Sequence, residues 1–451
     1  MYRDKLKELE KWRKSKTRKP LIIRGARQVG KTWLAKKFGR MHYKNVAYIY
    51  FFQNQRMRDL FESSPTTEQI LLGLKAESGI DIEPEKTLII FDEIQEVPAA
   101  LSALKYIYET APEYQIIATG SLLGVSLHSE NSFPVGKVDY LDLRPLSYHE
   151  FLAALGETQL LELLDRQNYE MIAIFKNRFI DLLKQYYLIG GMPEVVKDYV
   201  ANKSFKSARV IQKKILADYK ADFGKHVPKS QVPRLNQVWE SIPKQLAKEN
   251  NKFVYGVLRE GARSKEYEQA LWWLEDAGLV TIIKRIEAPK LPLVAYISEP
   301  PIFKMFLVDV GLLSAMGNIS ERIVLEKNEL FEEFKGSLTE QFVLNELLLI
   351  PDIQINYWSR DDATAELDFV VQLNDEIVPI EVKAEENLNS KSLRVFADKY
   401  APKHAVRTSM SNYRKDDWLT NIPLYMIGGM AQVLFGAVSS NNEIRQSGGV
   451  E

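Results

Sequence analysis

The sequence predicts an α/β protein whose main part is a parallel sheet carrying a phosphate-binding loop. Three observations predict it. Gly25-Ala26-Arg27-Gln28-Val29-Gly30-Lys31-Thr32 reads G-x-x-x-x-G-K-T, set between the apolar run Leu21-Ile22-Ile23 and the helical pattern of Thr32–Phe38. Apolar runs alternate with helical patterns from residue 20 to about 155, which implies parallel strands with helices on both faces. From about residue 330 a long helix, short strands and further βα elements form a second α/β unit.

Residues 1 to about 19 read as a charged lead-in helix. Leu21–Arg24 is the first strand. The glycines of the loop let backbone N–H groups curl around a β-phosphate. Lys31 is expected to reach the β- and γ-phosphates, and the Thr32 hydroxyl to ligand magnesium. Gly25, Ala26, Arg27, Gln28, Val29, Gly30 and Trp33 complete the expected nucleotide contact. The remaining strands are Val46–Phe52, Leu88–Phe91, Gln115–Thr119 and Lys137–Leu143. Leu88–Phe91 runs into Asp92-Glu93. Asp92 is expected to hold magnesium through water, and Glu93 to polarise an attacking water. Gln115–Thr119 ends in Thr119-Gly120-Ser121, where a plain strand-to-loop cap accounts for the small polar groups equally well. Arg144, just before Pro145, is a candidate to neutralise transition-state charge in a neighbouring molecule.

Residues from about 155 to 225 are helical in pattern and broken by the turn signal Gly190-Gly191-Met192-Pro193. Within them, Lys203, Lys206, Arg209, Lys213, Lys214, Lys220, Lys225 and Lys229 face only two acids, Asp218 and Asp222. This basic stretch is a candidate for phosphate contact with nucleic acid, or simply a solvated helix face. Val238–Lys248 and Ser264–Ala277 read as helices, and Gly278 stops the second. The strand Leu279–Ile286 follows, giving the outline of a winged helix. A plain helical lid fits the same pattern. Ser264–Ala277 would read a groove poorly, since Lys265 and the preceding Arg263 stand against Glu266, Glu268, Glu275 and Asp276. Trp272 and Trp273 are expected in the core, and Ala288-Pro289-Lys290-Leu291-Pro292 as a linker or wing tip.

Several runs together resemble one family. They are Arg24–Thr32, Phe91-Asp92-Glu93-Ile94-Gln95, Thr119-Gly120-Ser121, Pro145–Phe151, Gly190-Gly191-Met192-Pro193-Glu194 and Phe303–Leu313. The chain is similar, over roughly residues 15 to 435, to a widespread prokaryotic family of AAA-superfamily ATPases carrying a C-terminal domain of unassigned function. The resemblance implies an AAA-type domain with a helical lid, ATP as the nucleotide, and γ-phosphate sensing by Ser121 or Thr119. Many relatives have Gly-Arg where this chain has Gly136-Lys137. A lysine lacks the planar fork of an arginine finger, which bears on turnover rather than on binding.

Near the C-terminal end, three acids and a lysine stand out. Glu340 lies on the helix Phe334–Leu349, Asp368 enters the strand Glu366–Val371, and Glu381 and Lys383 lie in Ile380-Glu381-Val382-Lys383. Strand alternation puts Glu381 and Lys383 on one face. A hairpin turning at Asn374-Asp375 brings Asp368 toward Glu381. This order resembles the PD-(D/E)XK nuclease core, in its compact resolvase-like spacing, and implies a restriction-endonuclease-like α/β fold. There Glu340, Asp368 and Glu381 would hold magnesium, and Lys383 would orient the nucleophile. Solvated charge on an edge strand produces the same letters. Ser359-Arg360-Asp361-Asp362 forms a polar approach to the region.

Composition narrows the classes. The 451 residues suggest two to four domains. Sixty basic and sixty acidic residues give no overall pull toward nucleic acid. The absence of cysteine excludes disulfides, thiol catalysis and cysteine-based zinc sites. His42, His128, His149, His226 and His404 form no pair at ligand spacing. No run of 18 apolar residues or signal-like start occurs, so a cytoplasmic protein without a membrane span is expected. The expected units are 1–155, 156–229, 230–325, 326–436 and a flexible tail, 437–451. The expected function is ATP and Mg2+ binding, with hydrolysis, gating a nuclease-like domain that acts on or binds DNA. Its alternative is a slow-turnover signalling or scaffold ATPase on a protein partner, with a silent C-terminal domain. Homo-oligomerisation is compatible with either.

Overall fold

The structure is a computed structural model describing residues 2–120, 136–247, 251–325, 332–360, 364–386 and 388–436. The tail expected at 437–451, Ser121, and Asp361 and Asp362 lie outside the described residues. A lead-in helix α1 (Lys5–Lys14) precedes β1 (Leu21–Arg24), the phosphate-binding loop and α2 (Lys31–His42). There follow β2 (Asn45–Tyr50), α3 (Gln55–Glu62), α4 (Thr67–Ser78), β3 (Thr87–Asp92), α5 (Pro98–Thr110), β4 (Gln115–Thr119) and β5 (Asp139–Asp142). Among the described residues these five strands form one parallel sheet in the order β2-β3-β4-β1-β5.

Both faces of this sheet are covered, and the strands show why. Leu21, Ile23, Leu88 and Ile90 enter one apolar cluster with α1 and α2. Ile22, Ile89 and Phe91 enter another with α3, α4 and α5. That is the period of two expected of strands. Strands covered on both faces are apolar throughout, and β3 and β4 are buried at every position.

The helical part comprises α6 (Tyr148–Leu155), α7 (Thr158–Asp165), α8 (Tyr169–Ile174), α9 (Lys176–Ile189), α10 (Pro193–Asn202) and α11 (Phe205–His226). Pro193 opens α10 at a position where its missing N–H costs nothing. The turn before it is tightly held. Leu146 N donates to Gly191 O at 2.7 Å, and Gly191 N donates to Asp309 Oδ2 at 2.6 Å. A Cβ on Gly191 would stand 2.1 Å from Leu146 O. Three sequence motifs that are far apart in the chain therefore meet at one point.

α12 (Val232–Leu246) starts before the expected Val238, because Pro233 sits harmlessly in its first turn. α13 (Ser264–Asp276), β6 (Val280–Ile286) and β7 (Phe303–Leu307) follow. β6 and β7 pair antiparallel from Val280↔Leu307 to Lys284↔Phe303, so Ala288–Pro292 lies in their connection. After α14 (Val310–Met316) and α15 (Glu321–Leu325) come α16 (Glu332–Leu347), β8 (Gln354–Ser359), β9 (Glu366–Leu373) and β10 (Glu376–Val382). The last elements are α17 (Lys391–Tyr400), β11 (Val406–Ser409), β12 (Arg414–Lys415), β13 (Thr420–Pro423) and α18 (Met430–Phe435). Asn374 and Asp375, with φ of 49° and 59°, make the two-residue hairpin turn between β9 and β10.

β6 also pairs in parallel with β8 at Arg285↔Tyr357 and Ile286↔Trp358. The second sheet thus has, among the described residues, eight strands in the order β12-β13-β11-β10-β9-β8-β6-β7. It joins strands from the units expected on either side of residue 325, because β6 pairs with β7 along most of its length and with β8 at its end. One apolar cluster reaches from α1 and α2 through α9, α11 and α14 to α16 and the second sheet. Among the described residues no helix is long and apolar enough to cross a membrane.

Candidate functional site

The loop after β1 is shaped by its glycines. Gly25 has φ of 139°, and a Cβ there would lie 2.1 Å from Leu143 O on the neighbouring chain segment. Gly30, with φ of 96°, caps α2. A side chain is strained at such angles. Lys31, in the first turn of α2, folds back over the loop and donates to Gly25 O at 2.9 Å and Ala26 O at 2.8 Å. Burial lowers its pKa to about 8, against the opposing pull of Glu93 and Asp92.

Asp92 ends β3 beside the loop and is held by three hydroxyls. Thr32 Oγ1 donates to its oxygens at 2.9 and 3.0 Å, Tyr48 OH donates at 2.7 Å, and Thr119 Oγ1 donates from the end of β4. These groups converge because β2, β3 and β4 are adjacent and parallel, so their C-terminal ends share one edge. Glu93 takes a left-handed backbone, φ 54°, and accepts from Gln95 Nε2 at 2.5 Å. It lines a cleft of about 250 Å³ together with Arg27, Tyr219, Asp222 and Trp273. Trp33, by contrast, is 42% exposed on the outer side of α2.

Helix α11 rests directly on the loop. Arg27 pairs with Asp222, Gln28 Nε2 donates to Asp218 Oδ2 at 3.0 Å, and Tyr219 OH donates to Arg27 O at 2.8 Å. Arg3 braces the loop from the other side, donating to Val29 O at 3.0 Å while paired with Glu150. The start of β6 is close as well, since a Cβ on Gly278 would lie 3.2 Å from Ala26 N.

Tyr48, Asp218, Asp222 and Arg3 are contacts that the motif reading missed. Asp218 and Asp222 carried a signal: the only acids of a basic stretch, four residues apart on one helix face. Arg144 lines a separate cleft of about 360 Å³ with Lys5, Lys7 and His149, and among the described residues that lining includes none of Gly25–Thr32. Lys137 pairs with Glu109 at 3.0 Å. Of the basic stretch, Arg209 is tied to Ile319 O at 2.7 Å and Lys220 to Glu240 at 2.6 Å, whereas Lys206, Lys213, Lys214 and Lys229 are exposed.

The C-terminal acids are also brought near one another. Asp368 on β9 accepts from Val382 N at 2.7 Å. Burial first, then Glu340, raises its pKa well above the usual carboxylate range. Glu381 pairs with Lys383 at 2.8 Å on the β10 face that alternation predicts. Glu340 accepts from Asn251 Nδ2 at 2.9 Å. Sequence reasoning missed the lysine of β7. Lys304 is fully buried, 2.8 Å from Glu366 and 3.7 Å from Glu340. Its signal was a lone charge inside the apolar strand Phe303-Lys304-Met305-Phe306-Leu307. Among the described residues no group of three or more His, Cys, Asp or Glu is arranged to hold a metal ion.

Residues 17–152 match the family described as AAA domain. This segment is similar to an AAA domain. Residues 180–323 and 335–427 match two domains of unknown function, DUF8612 and DUF4143. No curated protein matches the chain. Similar solved structures include the Walker-type ATPase PABY2304 of Pyrococcus abyssi, at 16% identity and TM-score 0.41, covering 70% of this chain and 95% of that one. The Aeropyrum pernix ORC1 protein in complex with DNA matches at 12% identity and TM-score 0.29, covering 71% and 93%. AMPPCP-bound DnaA from Aquifex aeolicus matches at 14% identity and TM-score 0.26, covering 61% and 80%. Within the matched segment, the loop, Asp92 and Thr119 all stand at the C-terminal edge of the sheet.

Proposed function

We propose that this protein binds ATP with magnesium at Gly25–Trp33, hydrolyses it, and uses its nucleotide state to set how the remaining units engage DNA. The observation that carries the reading is the convergence of Thr32, Tyr48 and Thr119 on Asp92 beside Lys31. Thr32 and Asp92 offer hard oxygen donors 2.9 Å apart, a donor set that fits magnesium, and they would hold the ion. Bound there, magnesium supplies neutralisation of phosphate charge. Lys31 exchanges its two loop carbonyls for phosphate oxygens, and Glu93 orients the water.

Contacts on both sides of the loop support the gating. Asp218 and Asp222 of α11 hold Gln28 and Arg27, and Gly278 lies against Ala26. Phosphates entering the loop therefore act on both the lid and the start of the second sheet. The helix pair α12–α13 followed by the β6–β7 hairpin supports a winged-helix reading of the middle unit. The order α16-β8-β9-β10-α17-β11, with Glu340, Asp368, Glu381 and Lys383 on it, supports a nuclease-like reading of the C-terminal unit. The exposed lysines of α11 support DNA as the partner. One observation favours the slow protein-partner switch instead: Lys137, at the arginine position of the resembling family, is occupied by Glu109.

The test is magnesium-dependent ATP hydrolysis with and without double-stranded, single-stranded and branched DNA, with Lys31→Ala as the blank. Turnover stimulated by DNA is expected. Slow turnover indifferent to every DNA would move the reading to the protein-partner switch. Turnover no higher than the blank would remove hydrolysis from it.

A further inference from the structure

The carboxylates of the C-terminal unit already have a cation among them, and it belongs to the chain. Lys304 is delivered by β7, a strand placed before that unit in sequence and joined to it through β6 and β8. Its ammonium lies 2.8 Å from Glu366 Oε1 and 3.7 Å from Glu340 Oε2. It also lies 5.1 Å from the centre of the Tyr357 ring, in reach of a cation–π contact. The side chain is 1% exposed.

Each carboxylate of the cluster has at least one oxygen engaged by the chain, while Glu381 Oε2 is buried with no hydrogen-bond partner. Glu340 Oε2 accepts from Asn251, Glu366 Oε2 is 3.3 Å from Lys252, Asp368 Oδ2 accepts from Val382 N, and Glu381 Oε1 is held by Lys383. A divalent ion needs several carboxylate oxygens turned toward one point. Here one oxygen each of Glu340, Asp368 and Glu381, and both of Glu366, face ammonium or amide donors, and a second cation beside Lys304 would meet like-charge repulsion in a poorly screened interior.

We propose that Lys304 is the resident cation of this carboxylate cluster, replacing the divalent metal that a nuclease of this order would hold. The C-terminal unit then binds its ligand without cutting a phosphodiester bond. Lys304 also ties β7 to α16 and β9, so the charge that excludes the metal fastens the middle of the chain to its C-terminal unit. The inference rests on the nuclease-like reading of that unit.

The test is Mn2+ titration of the full-length, nucleotide-free protein, followed by the paramagnetic signal of free Mn2+. Four proteins are compared: wild type, Asp368→Asn, Lys304→Met and the double variant. The wild type is expected to show no Mn2+ site that Asp368→Asn removes. Lys304→Met is expected to gain one site, at least tenfold tighter than any in the wild type, and to lose it when Asp368→Asn is added. A wild-type site lost in Asp368→Asn overturns the proposal, as does a folded Lys304→Met that gains nothing. Lys304→Gln serves if the methionine variant does not fold. If neither folds, the wild-type comparison with Asp368→Asn decides alone.

DNA binding by fluorescence anisotropy and plasmid nicking, run on the same proteins, separate the two ideas. Metal gained by Lys304→Met without DNA binding by any variant keeps the resident cation and removes the DNA reading. Manganese-dependent nicking by the wild type that Asp368→Asn abolishes keeps the nuclease and removes the resident cation.

Discussion

Lys31 illustrates how surroundings set the behaviour of one ammonium. Its pKa falls to about 8 because it is buried against loop carbonyls, and the opposing pull of Glu93 and Asp92 offsets this only in part. In the folded, empty protein the proton leaves near pH 8, whereas the unfolded chain keeps it to about 10.4. Between those values the unfolded state binds more protons, so the Lys31 contribution to stability rises with pH. Nucleotide has the opposite sign, because phosphate oxygens favour the charged amine. ATP affinity is therefore expected to fall above pH 8, by up to about tenfold per pH unit, with proton uptake on binding. Calorimetry from pH 7 to 9.5 in two buffers of different ionisation enthalpy reads both, and an affinity flat across that range would sink the idea. The loop roles were legible in the sequence because they depend on neighbours eight residues apart at most. Tyr48 was not, because only the adjacency of β2 and β3 brings its hydroxyl to Asp92.

Among the elements, α11 engages the loop through three side chains. Its two acids hold Arg27 and Gln28, and its tyrosine holds the Arg27 carbonyl. Asp222→Ala removes the ion pair and leaves the helix core intact. Nucleotide association is expected to speed up about three- to tenfold, in line with losing a half-buried charged hydrogen bond that must break for entry. Stopped-flow mixing with a fluorescent ATP analogue gives the rate, and an unchanged rate would show that α11 does not restrain the loop. The turn before α10 makes a different prediction. Gly191→Ala places a methyl 2.1 Å from Leu146 O, a backbone atom that cannot step aside. A loss of about 2–3 kcal/mol is expected in urea unfolding, and a loss under 0.5 would show that the turn relaxes easily. The sequence marked this segment as a turn. It did not mark the partner, which lies forty-odd residues away and is chosen by packing.

Taken whole, the molecule is joined by a buried carboxyl. Glu346 on α16 accepts from Tyr148 N at 2.8 Å, within the segment that matches the AAA domain, and burial pushes its pKa up to about 8. The unfolded chain releases that proton near about pH 4.3. Between these values the folded state binds more protons, so this contribution is complete below the lower value and is lost as pH rises through 8. Glu346→Gln keeps the acceptor and removes the titration. The melting temperature of the variant relative to wild type is expected to climb from pH 5 to pH 8, and a constant difference would place the charge elsewhere. Scanning calorimetry over that range decides it.

Local pattern by itself determined the AAA-type loop, the strands that flank it, the acidic end of β3 and the hairpin at Asn374-Asp375. Each depends on short-range stereochemistry: glycine at positive φ, alternation on a strand, a cap on a helix. Only the tertiary structure decided that the loop is held by Asp218 and Asp222, that the second sheet runs through β6 and β8, and that Lys304 stands among the C-terminal acids. Those outcomes depend on which distant surfaces bury one another, and a buried charge is set by partners that no spacing rule along the chain can name.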